Sequence, residues 1–354
     1  MPICVLAAVL LSVMPWVSAT PPSENNRVQL IVDTSEADQV LDILAERAAG
    51  KAILGPQWQK LFATEPYRRL KQRETETAKR FNDRSTLTDE DFKQFVLSDS
   101  LLVRAAELRN TLERWKQADL QAAAESVLRY LPSSAVIHAK VYPVIKPQTN
   151  SFVWEVSTDP AIFLYLDPAI SAAKFMNTVK HELHHIGLAS GEVNYEKQIE
   201  SLPERAKTVA EWTGAFGEGL AMLAAAGGPD VHPHAASSKE EQARWDHDMA
   251  NFSGDLLAVN SFFLNILHGK FASQEAISEK ASSFFGVQGP WYTVGYEMAV
   301  MVEKRFGRDM LIQTMLDPRK LLVLYNQTAA EQNARSQEQL PLWSAEILQA
   351  FEAK

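Results

Sequence analysis

The sequence predicts an α+β fold that is mainly helical and carries one small β-sheet. Apolar residues recur at helical spacing along most of the chain, while β-branched and aromatic runs gather between residues 135 and 166. Of the 354 residues, 46% are apolar, enough to bury one large core or two smaller ones. The formal net charge of −9 argues against nucleic acid as a partner, because binding a polyanion needs a basic face.

Residues 1–19 (MPICVLAAVLLSVMPWVSA) hold an apolar run from Ile3 to Val13 and end on Val17, Ser18 and Ala19. This is the pattern of a secretory signal peptide, and the run is short for a membrane span of about 20 residues. We therefore expect an exported protein, periplasmic or secreted, with no stable membrane insertion once the leader is removed. The one cysteine, Cys4, falls in that leader, so neither disulfides nor thiol chemistry are expected in the mature chain. A polar linker follows over 20–27.

An N-terminal helical region is expected over 28–131. Val28–Val32 is a short strand or a lead into a helix capped near Thr34 and Ser35 and running to about Ala49. The charged run 68–84 interleaves acids with bases, which fits a solvated helix face better than a binding patch. Residues 91–130 suggest two or three amphipathic helices with Leu101, Leu102, Leu108, Leu112 and Trp115 inside. Leu131 and Pro132 break the pattern, and a second unit is expected over 132–354.

That unit opens with three predicted strands, 135–142, 152–156 and 161–166. The last ends just before the next helix. If it lies at the sheet edge it can pair with an extended peptide, although packing alone also explains its apolar run. Pro168 and Ser171 then signal a helix start, and Ala172, Phe175, Met176 and Val179 continue with helical spacing. Gly187 or Gly191 can stop it.

Within this helix stands His181-Glu182-Leu183-His184-His185. At about 3.6 residues per turn, His181 and His185 lie one above the other and can hold one ion. Glu182 is turned about 100° from His181, off the ligand axis but within reach of a water. This H-E-x-x-H pattern supplies two metal ligands and a general base, and its donors suit zinc. His184 is rotated off the metal axis, in a supporting position or facing solvent. His138, His232, His234, His247 and His268 are expected to be ordinary histidines, with His232-Pro233-His234 in a loop where only an adventitious metal site is conceivable.

A catalytic zinc needs a third protein ligand and an open fourth position. The metzincin continuation fails, because Leu188 and Gly191 occupy its positions. Glu192, Glu196 and Glu200 follow soon after the helix. Glu218 lies further on, between Gly217 and Gly219 and amid Phe216, Leu220, Met222 and Leu223. These glycines would let a second helix approach the first. Glu218 is the favoured ligand, since a buried carboxylate in an apolar helix needs a partner. A helix start with Glu at the positive end of the dipole is the other reading. If Glu218 is not the ligand, Glu192, Glu196, Glu200 or Glu211 takes its place.

With Glu218 in Gly-Glu-Gly-Leu-Ala, the H-E-x-x-H segment resembles the gluzincin zinc peptidases, where a Glu from a following helix is the third ligand. Tyr292-Thr293-Val294-Gly295 is similar to the Y-x-K-G segment of gluzincin aminopeptidases, with Val294 where that family has Lys. The G-x-M-E-N segment that grips a substrate amino terminus is absent. The layout over 160–308 looks most like bacterial families of unknown function described as zinc-dependent peptidases. The resemblance implies a zincin-like core in which Zn2+ activates water and Glu182 carries its proton to the leaving amine. It also implies that Tyr292, or else Tyr296, steadies the oxyanion. A peptide or protein would be the substrate. The reading of a different class is a helical binding or scaffold protein with a structural or vestigial metal site. A base beside the ligand has no use there.

Overall fold

The structure is a computed structural model that describes residues 27–80, 87–156, 158–191, 195–337 and 339–352. The expected leader with Cys4, and the candidate ligand Glu192, lie outside the described residues.

Strand β1 (Val28–Val32) leads into α1 (Ser35–Ala48), so the opening segment is a strand followed by a helix. Then come α2 (Gly55–Ala63), α3 (Glu65–Arg80), α4 (Asp89–Val96), α5 (Asp99–Leu102), α6 (Ala105–Lys116) and α7 (Leu120–Leu128). Side-chain caps start several of them: Thr88 accepts from Asp91 N–H at 3.1 Å and Asp119 from Ala122 N–H at 2.9 Å. Strands β2 (Ile137–Val144), β3 (Phe152–Trp154) and β4 (Ala161–Tyr165) follow. The sheet order is β1-β2-β4-β3, with β1 and β4 parallel to β2 and β3 antiparallel to β4.

Strand β4 is therefore interior, not the edge strand allowed for above. It is buried from Ala161 to Leu164 because β2 and β3 flank it. Its unbroken apolar run is the signature of a strand covered on both faces. The edges are β3 and β1, and β1 leaves Ile31 and Val32 half exposed.

The remainder is helical: α8 (Ala172–Ser190), α9 (Tyr195–Ile199), α10 (Glu204–Thr213), a single tight turn over Gly214–Phe216, α11 (Gly217–Ala226), α12 (Lys239–Ala250) and α13 (Phe252–Leu267). The chain continues with α14 (Gln274–Ser283), α15 (Pro290–Phe306), α16 (Arg308–Leu316), α17 (Arg319–Asn333) and α18 (Ala345–Ala350). Apolar spacing in the sequence predicts helices over 251–268, 274–285, 292–306 and 340–351; α13, α14 and α15 match the first three, α18 is shorter than the fourth, and α12, α16 and α17 are additional.

Two large cores divide the fold. One joins α1–α7, the sheet and Phe175, Val179, Leu183 and Ile186 of α8. The other gathers α10–α18 around Phe216, Trp245, Trp291 and Trp343. Tyr130 crosses between them, since it follows α7 yet belongs to the second core. Its hydroxyl donates to Glu303 at 3.2 Å and accepts from Arg308 at 2.8 Å. Helix α8 is the wall between the cores, with Leu188 packed against both.

Glu36 of α1 is fully buried beneath the end of β2, where its Oε2 accepts from Ile145 N–H at 3.0 Å. Burial raises this carboxyl from 4.5 to about 8, against the lowering effects of the Ile145 bond and Lys146. Folding thus favours the protonated acid, so its stabilising contribution is full below pH 4.5 and is lost as pH rises through about 8. Glu36→Gln should flatten this fall in a pH series of thermal melts, gaining on the order of a few kcal/mol over wild type at the alkaline end. Superimposable pH profiles would mean that the fold compensates the charge.

Candidate metal centre

Ser171 caps α8 by accepting from Lys174 N–H at 3.1 Å, and the helix runs without a break to Gly191. Its apolar positions face the sheet-side core, which leaves His181 and His185 for the opposite side, toward α11. Their rings lie 4.7 Å apart at 80°, with the Nε2 atoms separated by 3.1 Å.

Glu218 stands in the first turn of α11, as the helix-start reading expects, and also faces these histidines. It is only 2% exposed. Its Oε2 lies 3.2 Å from Nε2 of His181 and 3.4 Å from Nε2 of His185. Burial raises the carboxyl, but the imidazoles more than reverse this and hold it well below the usual range. Burial lowers His185, but Glu218, through its charge and its hydrogen bond, and Glu182 together raise it on balance.

Two ring nitrogens and a carboxylate oxygen thus form a triangle with sides of 3.1, 3.2 and 3.4 Å. Tetrahedral zinc with bonds of roughly 2.0–2.1 Å has donor–donor edges of roughly 3.3–3.4 Å. A proton could satisfy one side of the triangle; one cation can satisfy all three. The residues fit a zinc ion by spacing and by donor type, and among the described residues this is the group able to hold a metal. Glu196, Glu200 and Glu211 are exposed and outside it. Nδ1 of His181 is buried without a hydrogen bond among the described residues.

Glu182 borders the triangle. Burial raises its carboxyl, the two imidazoles lower it and Glu218 raises it again. It has no hydrogen-bond partner among the described residues, so its oxygens are left for other work. His184 does not face solvent. It is fully buried beside the backbone of Tyr130, and burial pushes it down to about 3, with His185 and His181 adding to the effect.

The two tyrosines differ. Tyr292 lays its ring nearly parallel to that of His181, 6.4 Å away. Tyr296 donates to the carbonyl of Val231 at 3.3 Å and packs on Trp245. The histidine-bearing loop around 231–237 links α8 to α15: Asn177 donates to the Pro233 carbonyl at 3.1 Å, and Gln288 meets Nε2 of His234 at 2.9 Å. His232 pairs with Asp246 at 3.0 Å, so this loop fastens helices together.

The glycines beside Glu218 act differently from expectation. Gly217 is open, whereas a Cβ on Gly219 would stand 2.0 Å from the Tyr296 nitrogen. One on Gly295 would stand 2.6 Å from the Phe216 carbonyl oxygen. The close approach is thus between α11 and α15, not between α11 and α8. It sets Glu218 and Tyr292 at a fixed mutual distance. Two glycines inside apolar helices, each unfavourable by about 1 kcal/mol against Ala, were the available signal for this crossing. Gly219→Ala should cost roughly 1–3 kcal/mol or more in a denaturant melt and lower bound zinc, measured as metal per chain. Wild-type stability and zinc content in this variant would contradict so tight a crossing.

A search of curated proteins and one of solved structures give no match to this chain. Residues 58–334 match the family described as "Putative zinc dependent peptidase (DUF5700)". That span is most of the sequence, so the chain belongs to this zinc-dependent family.

Proposed function

We propose that the protein is an exported zinc peptidase of gluzincin type, with a zincin-like core. His181, His185 and Glu218 hold the metal and Glu182 is the general base. The observation that carries this reading is the triangle of three donors with a carboxylate alongside that has no hydrogen-bond partner among the described residues. A structural zinc is closed by four protein ligands, whereas a catalytic one keeps a position open. Three donors converge here among the described residues, which favours the catalytic reading over the scaffold with a structural metal. Family membership supports hydrolysis of peptides or proteins, and the apolar leader-like segment supports export.

When bound, zinc supplies Lewis acidity that polarises a peptide carbonyl and makes water more acidic. Glu182 accepts the proton of the attacking water and returns it to the leaving amine nitrogen. Tyr292 presents its hydroxyl to the carbonyl oxygen as negative charge develops there. Tyr296, whose hydroxyl donates to the Val231 carbonyl, is the second candidate. Helix α11 keeps Glu218 anionic by facing it to two imidazoles.

Three substitutions separate these roles. Glu182→Gln should retain a full complement of zinc while cleavage of a mixed peptide library falls by roughly 10²–10⁴-fold, the usual worth of acid–base catalysis; zinc loss with this variant would give Glu182 a ligand's role. Glu218→Ala should sharply lower zinc per chain by metal analysis, and unchanged occupancy would remove it from the donor set. Tyr292→Phe should reduce kcat by roughly 10²-fold with zinc retained, and an unaffected rate would assign the oxyanion to another donor.

A further inference from the structure

Away from the metal centre, Lys146 is buried to 1% exposure where the chain leaves β2. Its ammonium donates to the Gln148 carbonyl and to Asn150 Oδ1, each at 2.7 Å. Both acceptors are neutral, and a lysine has three N–H groups to place. The nearest acids are otherwise engaged. Glu74 takes Arg73 at 2.7 Å, and Glu36 accepts from Ile145 N–H and is raised by burial to about 8. A buried ammonium with no anion in contact is unfavourable. Burial accordingly pushes Lys146 down to about 7.

Beside it lies a cavity of about 250 Å³. Its polar lining comes from Lys146, Arg104, Ser100, Thr149 and Tyr165, and among the described residues no carboxylate lines it. Arg104 is held by Asp167 at 3.0 Å, which leaves further guanidinium N–H groups. The rest of the wall is apolar, with Phe95 and Leu108 prominent. The cavity opens where the neighbouring parallel strands β2 and β4 both end, at Val144 and Tyr165. The carboxyl ends of parallel strands are where such sheets bind ligands. In a chain of net charge −9, a pocket lined by a lysine, three hydroxyls and an arginine whose ion-pair partner is Asp167 favours an anion.

We propose that this cavity is a second binding site, for a small carboxylate carried on an apolar body, with Lys146 and Arg104 as its anion-binding groups. The charged end takes the place of the missing counter-anion, and the apolar walls take the rest of the molecule. A free organic acid and the carboxyl terminus of a short peptide share this chemistry. The site is independent of peptidase activity, so its test does not depend on that reading.

The test is calorimetric titration of the zinc-loaded full chain at pH 7 with N-acetyl-leucine, hexanoate, N-acetyl-leucinamide and inorganic phosphate, repeated after chelation of the metal. Saturable binding of the acids that survives chelation, with the amide and phosphate much weaker, is expected. N-acetyl-leucine binding more tightly than hexanoate assigns a peptide terminus as the source, and the reverse order a free acid. Lys146→Met and Arg104→Gln should each weaken the acids by roughly tenfold to a hundredfold, the worth of a charge-assisted hydrogen bond. If Lys146→Met fails to fold, Arg104→Gln, at a partly exposed position, decides. The proposal is overturned by no saturable binding, by equal binding of the amide, by tighter binding of phosphate, by loss of binding on chelation, or by unchanged affinity in the folded variants.

Discussion

A carboxylate taken out of water needs a partner, and that need organises the fold around Glu218. Solvation is denied to it: it is 2% exposed in a helix otherwise built of Leu, Ala, Met and Gly. Compensation comes from α8, where two imidazoles one turn apart present their Nε2 atoms. Removing either side would leave a buried charge or a pair of opposed ring nitrogens, each costly by several kcal/mol in an apolar surround. Helices α8 and α11 are therefore joined by chemistry as well as by packing.

The surroundings hold that junction still. Helix α8 is embedded on one face in the sheet-side core through Val179, Leu183 and Ile186, so its histidines have one direction in which to point. Helix α11 is fixed from behind by α15, backbone against backbone at Gly219 and Gly295. The Tyr130–Glu303–Arg308 cluster ties the segment before β2 to the far end of α15. The same helix α15 carries Tyr292 over the ring of His181. One rigid helix thus positions both the third donor and the tyrosine, an arrangement that suits a preorganised site.

Local chemistry was legible in the sequence, and distant packing was not. The histidine helix could be read because its cap and its apolar stripe are local signals, although Gly187 and Gly191 both offered an end and the helix runs on to the second. Glu218 could be chosen from its apolar neighbours, since a charge amid Leu and Ala is a conflict that structure must resolve. The place of strand β4 was left open because an apolar run serves an edge strand and an interior strand alike; the pairing partners decide, and one of them, β2, with β3 on the other side, makes it interior. For His184 the sequence left a supporting position and solvent both open, and burial excludes the second. Helical geometry turned it away from the metal axis correctly, but what lies on that side depends on how the two cores meet around α8. Helices α16 and α17 escaped notice because their outward faces dilute the apolar spacing, while Leu311, Met315, Leu322 and Tyr325 are nonetheless buried.

The account stands or falls on where the metal sits. Crystals of the zinc-loaded protein, measured on both sides of the zinc absorption edge, give that directly. The account predicts one anomalous peak at roughly 2.0–2.1 Å from Nε2 of His181, Nε2 of His185 and an oxygen of Glu218, with Glu182 alongside and outside the bonding distance. A peak at any other cluster, or a Glu218 side chain turned away from an ion held by the histidines, would contradict it.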